Sequence, residues 1–255
     1  SRSNGFPVRA VKKKPVEYVE IAGLKWATCN VGANTPKDYG WYFFWAGTTG
    51  YVHDGSKWVK ASNSTVELSD GFSWTNTPFH NGSVPNKDWY KYIPTGKTGY
   101  WAGGGSPDNK LSLELDDDAV RANLGGSWRI PSSQEFLDLC RYCFVVLDYD
   151  NKGLIFYPAK EESHKGKFYI GVELEGVFNE VKRELIQGAT SYSDCSGAEA
   201  DFPSEDSYTP DDALLFFPIA GYANSDHLQR AGQVGGYWSN EVFDDIRELF
   251  FEVDM

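Results

Sequence analysis

The chain has 255 residues, a hydrophobic content of 41% and a formal net charge of −12 at pH 7. This length and composition suffice for one large core or two small ones, whereas the excess negative charge opposes the phosphates of nucleic acids and of anionic membranes. The basic run Lys12 to Lys14 is too short for a nucleic-acid footprint, and no stretch approaches the roughly 20 apolar residues of a membrane helix. We expect neither nucleic-acid binding nor membrane insertion.

Aromatic residues are frequent along the whole chain. They make up 16% of it and occur beside 26 Gly and 12 Pro rather than in long runs of helix-forming residues. This mixture favours short strands and many turns over a helix bundle.

The first part of the chain reads as strands. Residues 16–28 alternate around an Ala22-Gly23 turn, which predicts a hairpin, and an aromatic strand is predicted from Tyr39 to Ala46. Residues 47–110 are rich in turn formers, yet disordered segments are poor in aromatics, so we expect a long ordered excursion. Its tryptophans are Trp58, Trp74, Trp89 and Trp101.

Two short helices are predicted next. Asp116 to Asp118 precede an apolar stretch that ends at Gly125, which predicts a helix with acidic N-terminal residues and a glycine C-cap. A metal site at the three aspartates is the less favoured alternative. After a predicted strand at residues 128–130, Ser132 and Glu135 have the spacing of a capping box that opens the second helix.

The segment from Asp148 to Gly153 begins like a calcium-binding loop. Lys152 occupies a ligand position, and Ala159 stands where a bidentate Glu is needed, so a hairpin turn is the better prediction. Strands are predicted from Gly153 to Tyr157 and from Lys167 to Leu174, followed by a surface loop over residues 189–212.

The C-terminal block reads as strand, polar loop, strand, turn and strand. The predicted strands cover residues 213–222, 236–242 and 247–255, and the polar loop covers residues 223–235.

Four cysteines allow two disulfides in three connectivities. Cys140 and Cys143 form a C-x-x-C, which is typical of redox pairs and of half metal sites. Since neither a second such motif nor a histidine pair accompanies them, packing or a structural disulfide is favoured.

The sequence offers no catalytic motif. Its four histidines, at positions 53, 80, 164 and 227, accompany no nucleophile elbow, no H-E-x-x-H and no phosphate-binding loop, and Gly103 to Gly105 lack the G-K-S/T that such a loop requires. We therefore expect no catalytic residue, no cofactor and no metal.

Three groups of motifs carry a resemblance to a known family. They are KWATCNVGA with YGWYFFWAG at residues 25–47, LGGSWRIPSSQEF at 124–136, and FFPIAGY through GGYWSN at 216–240. In this order and spacing they resemble the Fibrobacter-type major paralogous domain, over residues 16–255. The resemblance implies an α+β, C-type-lectin-like fold, with a twisted antiparallel sheet, two short helices and long ordered loops. It also implies an extracellular or cell-surface location in bacteria. Because the chain begins at Ser1 rather than Met, an export signal could have been removed from it.

The chain departs from this family at its ends. Family members finish with a strand that resembles G-F-S-V-R-x-V, and here that pattern stands at the front, at Gly5 to Val11. We divide the chain into a displaced strand and linker (residues 1–15) and a lectin-like domain (residues 16–255). An unpaired strand and an open sheet edge would both be unfavourable, so we expect the displaced strand to complete the chain's own sheet beside Arg247 to Val253.

The same fold is similar to that of the variable proteins of diversity-generating retroelements, whose variable stretch is C-terminal. By that resemblance the recognition surface here comprises residues 223–229 and 240–245, and it would bind a protein or glycan ligand. Rigid aromatics among short polar groups suit such recognition. For Trp238 a core position is the favoured interpretation. The predicted ligand-binding residues are Tyr222, Ala223, Asn224, Ser225, Asp226, His227, Gln229, Trp238, Asn240, Glu241, Phe243 and Asp245.

Two other classes of protein remain alternatives. A modifying or hydrolytic enzyme with the lectin fold is the first, but the formylglycine-generating type needs a reactive cysteine pair near its C-terminal end, and no cysteine follows Cys195. A structural fimbrial or stalk subunit, assembled through the displaced strand, is the second. Calcium-dependent sugar binding is not expected, because Trp238-Ser239-Asn240 only half matches one calcium element and Val84-Pro85-Asn86 lacks the acid of the other.

Overall fold

The computed structural model describes residues 4–11, 16–82, 89–96, 106–148, 150–169, 183–184, 210–242 and 252–253. These residues form an α+β fold of mostly antiparallel strands with two short helices. The helices are α1 (Ala119–Leu124) and α2 (Ser133–Tyr142). The strands are β1 (Phe6–Pro7), β2 (Arg9–Val11), β3 (Tyr18–Ile21), β4 (Leu24–Asn30), β5 (Tyr42–Phe43), β6 (Tyr51–His53), β7 (Trp58–Lys60), β8 (Asn63–Glu67), β9 (Cys143–Asp148), β10 (Gly153–Pro158), β11 (Lys167–Tyr169), β12 (Arg183–Glu184), β13 (Leu215–Pro218), β14 (Tyr222–Asn224), β15 (His227–Gln229) and β16 (Glu252–Val253).

The strands form several small sheets rather than the single twisted sheet that was predicted. Three sheets have three or more strands, in the orders β1-β5-β6-β7-β8, β11-β9-β10-β13 and β2-β4-β3, and two further pairs are β12-β16 and β14-β15. Only the β11-β9 pair among these described pairings is parallel. The frequent glycines and turn formers keep each strand short, and so divide the sheet.

The predicted N-terminal hairpin is confirmed. Strands β3 and β4 are antiparallel, with Ile21 opposite Leu24 across a two-residue turn. Ala22 and Gly23 both have positive φ, at 52° and 75°, which matches the right-handed twist of the two strands.

The predicted aromatic strand is too long. Only Tyr42–Phe43 belongs to a strand, because Gly40 and Ala46 have φ values of 76° and 61° and turn the chain at both ends. The aromatic residues are nevertheless buried as expected; Phe43 is fully inaccessible to solvent. Within the excursion at residues 47–110, the described part contains the β6-β7-β8 meander.

Both predicted helices and their caps are confirmed. Asp118 accepts hydrogen bonds from the backbone amides of Val120 and Arg121 at the start of α1, and Gly125 follows its end. Ser132 and Glu135 form the complete capping box of α2. The strand predicted at residues 128–130 is wrong, because this segment contains an isolated bridge residue but no strand. It lies between the two helices, and the amide of Ile130 donates to Asp118, the N-cap of α1.

The turn after Asp148 is also confirmed, since the Asp148 carboxylate accepts the amide of Asn151 at 2.9 Å and strands β9 and β10 pair antiparallel on either side. Strand β9, for which no strand was predicted, lies in the interior of its sheet between β11 and β10. The predicted strand that starts at Lys167 is described only as far as Tyr169.

The C-terminal block differs from its prediction. Residues 223–229, assigned to a polar loop, belong to the β14-β15 hairpin, which begins at Tyr222. Residues 236–242, predicted as a strand, contain only an isolated bridge at Glu241 to Ser112. The backbone of this segment bonds to residues outside the strands instead, Asn240 to Pro131 and Leu113 and Val242 to Leu111. Buried Tyr237 and Trp238 hold the segment through side-chain hydrogen bonds to the carbonyl oxygens of Pro218 and Phe43, each at 2.9 Å.

The N-terminal segment Gly5 to Val11 pairs with strands of its own chain, as was expected, although the described pairings are with other strands than the predicted one. Strand β1 pairs with β5 and strand β2 with β4, and Gly5 forms a bridge with Ala223. The expected partner, Arg247 to Val253, lies mostly outside the described residues. Its described part, β16, pairs with β12 instead.

Arg9 holds this segment in the core. Its side chain is fully buried and donates to the carbonyl oxygens of Ala27 at 3.2 Å and Phe216 at 2.5 Å. The guanidinium also lies over the Phe217 ring, 4.3 Å from its centroid. Burial lowers the pKa of Arg9, although nearby Tyr237 opposes this. One side chain thus joins β2, β4 and β13.

Replacing Arg9 by Met tests this joint. Met fills much of the same volume, but the carbonyl oxygens of Ala27 and Phe216 lose their donor, so we expect the free energy of unfolding to fall by about 2–4 kcal/mol. Urea unfolding followed by tryptophan fluorescence measures the loss. The control is Arg121→Met, on the half-exposed side of α1, where we expect a change within about 0.5 kcal/mol. Equal effects of the two substitutions would contradict the assigned role of Arg9.

Candidate functional site

The β14-β15 hairpin carries most of the predicted ligand-binding residues. Asn224, Ser225, Asp226 and His227 are all exposed at its turn, and we call these four residues the hairpin tip. Tyr222 and Gln229, which face each other at the base of the hairpin, are half-buried. Ser225 adopts a positive φ of 50°, which turns the chain between the two three-residue strands of the hairpin.

Backbone hydrogen bonds fix the hairpin from two other parts of the chain. Gly5 and Ala223 exchange both of their amide hydrogen bonds, at 2.8 and 2.5 Å, and Phe72 and Ser225 do the same at 2.9 and 3.0 Å. The imidazole Nε2 of His53 lies 2.9 Å from the carbonyl oxygen of Asp226. The backbone of the tip is therefore held in place, while its side chains remain free to meet a ligand.

An aromatic cluster supports the hairpin from beneath. Phe72 is its centre: the ring lies 4.4 Å from that of Phe44, 5.6 Å from Tyr51 and 5.0 Å from Trp58. Buried Ala223 and half-buried Leu228 pack against this cluster. The hairpin thus continues the apolar core of the β5-β8 sheet.

Two glycines make the close approach possible. A Cβ atom on Gly5 would overlap the Phe72 ring, and a Cβ atom on Gly71 would overlap the carbonyl group of Ser225. Gly71 also has a φ of 55°, which other residues rarely adopt. Neither glycine was singled out by the sequence, because the clash involves a segment far away in the chain.

Two of the predicted ligand-binding residues are instead core residues. Trp238 and Ala223 are both fully inaccessible to solvent. The Trp238 ring packs edge-on against Phe6 with the centroids 4.7 Å apart, which agrees with the core position favoured for it from the sequence. Neither side chain can contact a ligand without unpacking the core.

Asn240 and Glu241 contact a different part of the fold from the hairpin. The backbone of Asn240 bonds to Leu113 at 2.7 Å and to Pro131 at 3.0 Å. The carboxylate of Glu241 accepts the backbone amide of Ser133 at 3.0 Å and also its hydroxyl group, at the start of α2. These contacts give Glu241 a structural role as a second cap of α2. Phe243 and Asp245 lie outside the described residues.

Buried charges connect the two helix starts. Arg129 forms a bidentate ion pair with Glu135, one of whose bonds measures 2.7 Å. Burial opposes the charge of Glu135, but Arg129 and the Ser132 amide outweigh it and lower the pKa of Glu135. For Asp118 burial prevails and raises the pKa, although its carboxylate accepts three backbone amides.

The buried thiols are poor nucleophiles. Cys140 and Cys143 are both completely buried, and burial raises the pKa of Cys143 to about 12. Such a thiol stays protonated at neutral pH, which supports the packing interpretation of the C-x-x-C. Cys29, Cys140 and Cys143 are all free thiols in the structure, and Cys195 lies outside the described residues.

A shallow pocket that the sequence did not predict lies beside the aromatic cluster. It has a volume of about 280 Å³ and contains Phe44, Tyr51 and Phe79 together with Asp116 and Asp117 in its lining. The run of aspartates was the available signal, but it was assigned to helix capping, and only Asp118 has that role. Over the part of the chain that the structure describes, His, Cys, Asp and Glu form no group that could hold a metal ion.

Comparison with protein-family models, with curated proteins and with solved structures gives no significant match. Within the described residues, neither helix has the length and apolar character needed to cross a membrane.

Replacing Gly71 by Ala should displace the hairpin. The new methyl group would overlap the Ser225 carbonyl, so we expect a loss of about 2–3 kcal/mol in the free energy of unfolding and faster amide exchange over residues 222–229. Gly23→Ala is the matched control, because Gly23 also has a positive φ but no atom within 4 Å of the added Cβ. It should lose only about 1 kcal/mol. Unchanged exchange at the hairpin in Gly71→Ala would refute the anchoring role.

Replacing Glu135 by Gln should make stability depend differently on pH. A carboxylate whose pKa is lowered by folding stabilises the fold above its unfolded value, near 4.5, and loses this effect as pH falls through its folded value. At pH 7 we expect a loss of about 1–2 kcal/mol, because the ion pair with Arg129 is removed.

The difference in the free energy of unfolding between Glu135→Gln and the unmodified chain should shrink below about pH 4.5. Urea titrations at several pH values measure it. Glu162→Gln, at a carboxylate whose side chain is 85% exposed, serves as the control and should show little difference at any pH. A Glu135→Gln deficit that stays constant down to acidic pH would argue against the ion pair.

Proposed function

We propose that the chain is an extracellular ligand-binding or adhesion domain that presents the hairpin tip to a protein or glycan. The observation that carries the proposal is the combination of a fixed backbone with free side chains: Ser225 and Ala223 are tied to distant segments, while Asn224, Asp226 and His227 stay exposed. A surface prepared in this way loses little conformational entropy on binding.

The chemistry of the tip suits this role. An amide, a hydroxyl, a carboxylate and an imidazole stand next to one another in the chain and provide both donors and acceptors. Half-buried Tyr222 adds an aromatic edge at the base. Short polar groups beside a rigid aromatic are typical of surfaces that bind proteins or glycans.

A C-type-lectin-like fold of the Fibrobacter-type major paralogous domain family is part of the same proposal. The order of the sequence motifs supports it, and so does the α+β composition of the structure. We infer further that the role is binding rather than catalysis, and that Asn224 to His227 vary among related chains if this is a retroelement variable protein.

A glycan and protein array tests the proposal. The unmodified chain is compared with Asn224→Ala and Asp226→Ala, both at exposed tip positions where folding should be unaffected. Asn240→Ala is the control, because this residue contacts Leu113 and Pro131 rather than the hairpin. We expect loss of about one hydrogen bond to weaken binding roughly tenfold in each tip variant.

The two outcomes separate cleanly. Ligands that depend on Asn224 or Asp226 but not on Asn240 support the hairpin tip as the recognition surface. Ligands that ignore both tip substitutions, or that depend on Asn240 alone, would show that recognition occurs elsewhere.

A further inference from the structure

The shallow pocket beside the aromatic cluster has the features of a separate binding site. Phe44 and Tyr51 are buried and form part of its wall, and half-buried Phe79 contributes another part. The exposed side chain of Tyr90 packs edge-on against Phe79, with the ring centroids 5.9 Å apart, and remains 64% accessible to solvent. Tyr90 is not itself part of the lining, so half-buried Phe79 is the lining aromatic that keeps accessible ring surface, and this surface favours a ligand with a small apolar face.

The polar part of the lining consists of hydroxyl and carboxylate groups. Thr48 and Thr49 supply hydroxyls, and Asp116 is an exposed carboxylate. Asp117 is held in place by the Tyr92 hydroxyl group, which donates to it. The lining therefore offers both kinds of hydrogen-bonding partner at the edge of an aromatic surface.

Hydrogen bonds within the chain fix the loop that lines the pocket. Asn123 of α1 donates to the carbonyl oxygen of Thr48 at 3.0 Å, and the amide of Gly47 donates to Phe44 at 3.0 Å. These bonds fix the loop at residues 47–49 against α1. A ligand would not have to order this loop, which favours binding.

Most of the negative charge around the pocket is compensated. Lys91 forms ion pairs with Asp117 and with Glu114, the latter at 2.6 Å, and Lys110 pairs with Glu114 at 2.7 Å. Burial alone would lower the pKa of Lys91, but its bonds to Asp117 and Glu114 raise it, so the cation persists at neutral pH. The charges of the two lysines thus compensate those of Glu114 and Asp117. Among these carboxylates of the pocket region, that of Asp116 is left uncompensated.

We propose that this pocket binds one ring of a neutral saccharide. The C–H face of a sugar ring packs against aromatic side chains, and its hydroxyl groups donate to carboxylates and exchange hydrogen bonds with threonine. A cationic ligand finds only one uncompensated carboxylate, and an anionic ligand would be repelled by Asp116. The volume of about 280 Å³ is sufficient for one such ring and not for an extended chain.

The pocket is independent of the proposed function of the hairpin tip. Its lining comes from residues 44–51, 78–79 and 116–117, none of which belongs to the hairpin. The saccharide site could therefore exist with or without recognition by the tip.

Saturation-transfer NMR on the full chain tests the proposal. The probes are the methyl glycosides of glucose, galactose, mannose, fucose and N-acetylglucosamine, and the charged comparison ligand is N-acetyl-lysine methylamide. Because a single sugar ring makes few contacts, we expect at least one glycoside to bind with a dissociation constant of about 1 mM.

Two variants examine the site while leaving the core intact. Thr49→Trp places a bulky side chain at an exposed position of the lining, and Asp116→Ala removes its uncompensated carboxylate. Each should weaken glycoside binding about tenfold or more. Asp226→Ala, at the hairpin tip, and Glu162→Ala, at a distant exposed carboxylate, are the controls and should leave binding unchanged. Thermal unfolding of each variant verifies that it is folded.

Three results would overturn the proposal. They are the absence of binding by every glycoside at about 20 mM, glycoside binding that survives both Thr49→Trp and Asp116→Ala, and binding of the lysine probe alone. Glycoside binding lost only in Asp226→Ala would assign the sugar to the hairpin tip. That result would support the proposed function while refuting the pocket, so the two failures are distinguishable.

Discussion

The burial of Arg9 is the constraint on which the rest of the structure depends. A guanidinium placed in an apolar core is unfavourable unless its donors find partners. Here its two terminal nitrogens donate to the carbonyl oxygens of Ala27 and Phe216, and the group lies over the Phe217 ring. Satisfying Arg9 fixes the distance between β4 and β13. The N-terminal segment that carries Arg9 is held by two further contacts: Phe6 lies against Trp238, and Gly5 bonds to Ala223.

The position of the hairpin tip follows from this arrangement. Gly5 holds one side of the hairpin and Phe72 the other, so two segments remote in sequence determine where four exposed polar residues stand. The aromatic cluster around Phe72 supports the hairpin and also lines the pocket through Phe44 and Tyr51. Both proposed binding sites therefore rest on one buried group of aromatic rings.

Local chemistry made much of the fold predictable from the sequence. The turn at Ala22 and Gly23, the caps of both helices and the turn after Asp148 each depend on neighbouring residues, and each is confirmed. Elements that depend on long-range packing were not predicted correctly. Residues 236–242 have the composition of a strand, yet Tyr237 and Trp238 direct their polar groups to carbonyls of other strands, and no ladder forms.

The candidate site divides in the same way. Asn224 to His227 were assigned to the recognition surface through the family resemblance, and their polar character predicted that they would be exposed, as they are. Asn240 and Glu241 have similar composition, but their roles beside α2 are set by Pro131 and Ser133, more than a hundred positions away. The pocket was missed because its wall and its carboxylates come from separate parts of the chain.

The bond between Arg9 and Phe216 spans 207 positions, which has a consequence for biosynthesis. During synthesis the N-terminal segment emerges well before two of its partners, Phe216 and Ala223. Strands β1 and β2 can pair early with β5 and β4, but the Arg9 guanidinium and the Gly5 backbone lack these two partners until most of the intervening chain is made. Contacts of such long range slow folding and leave strand edges open to other chains.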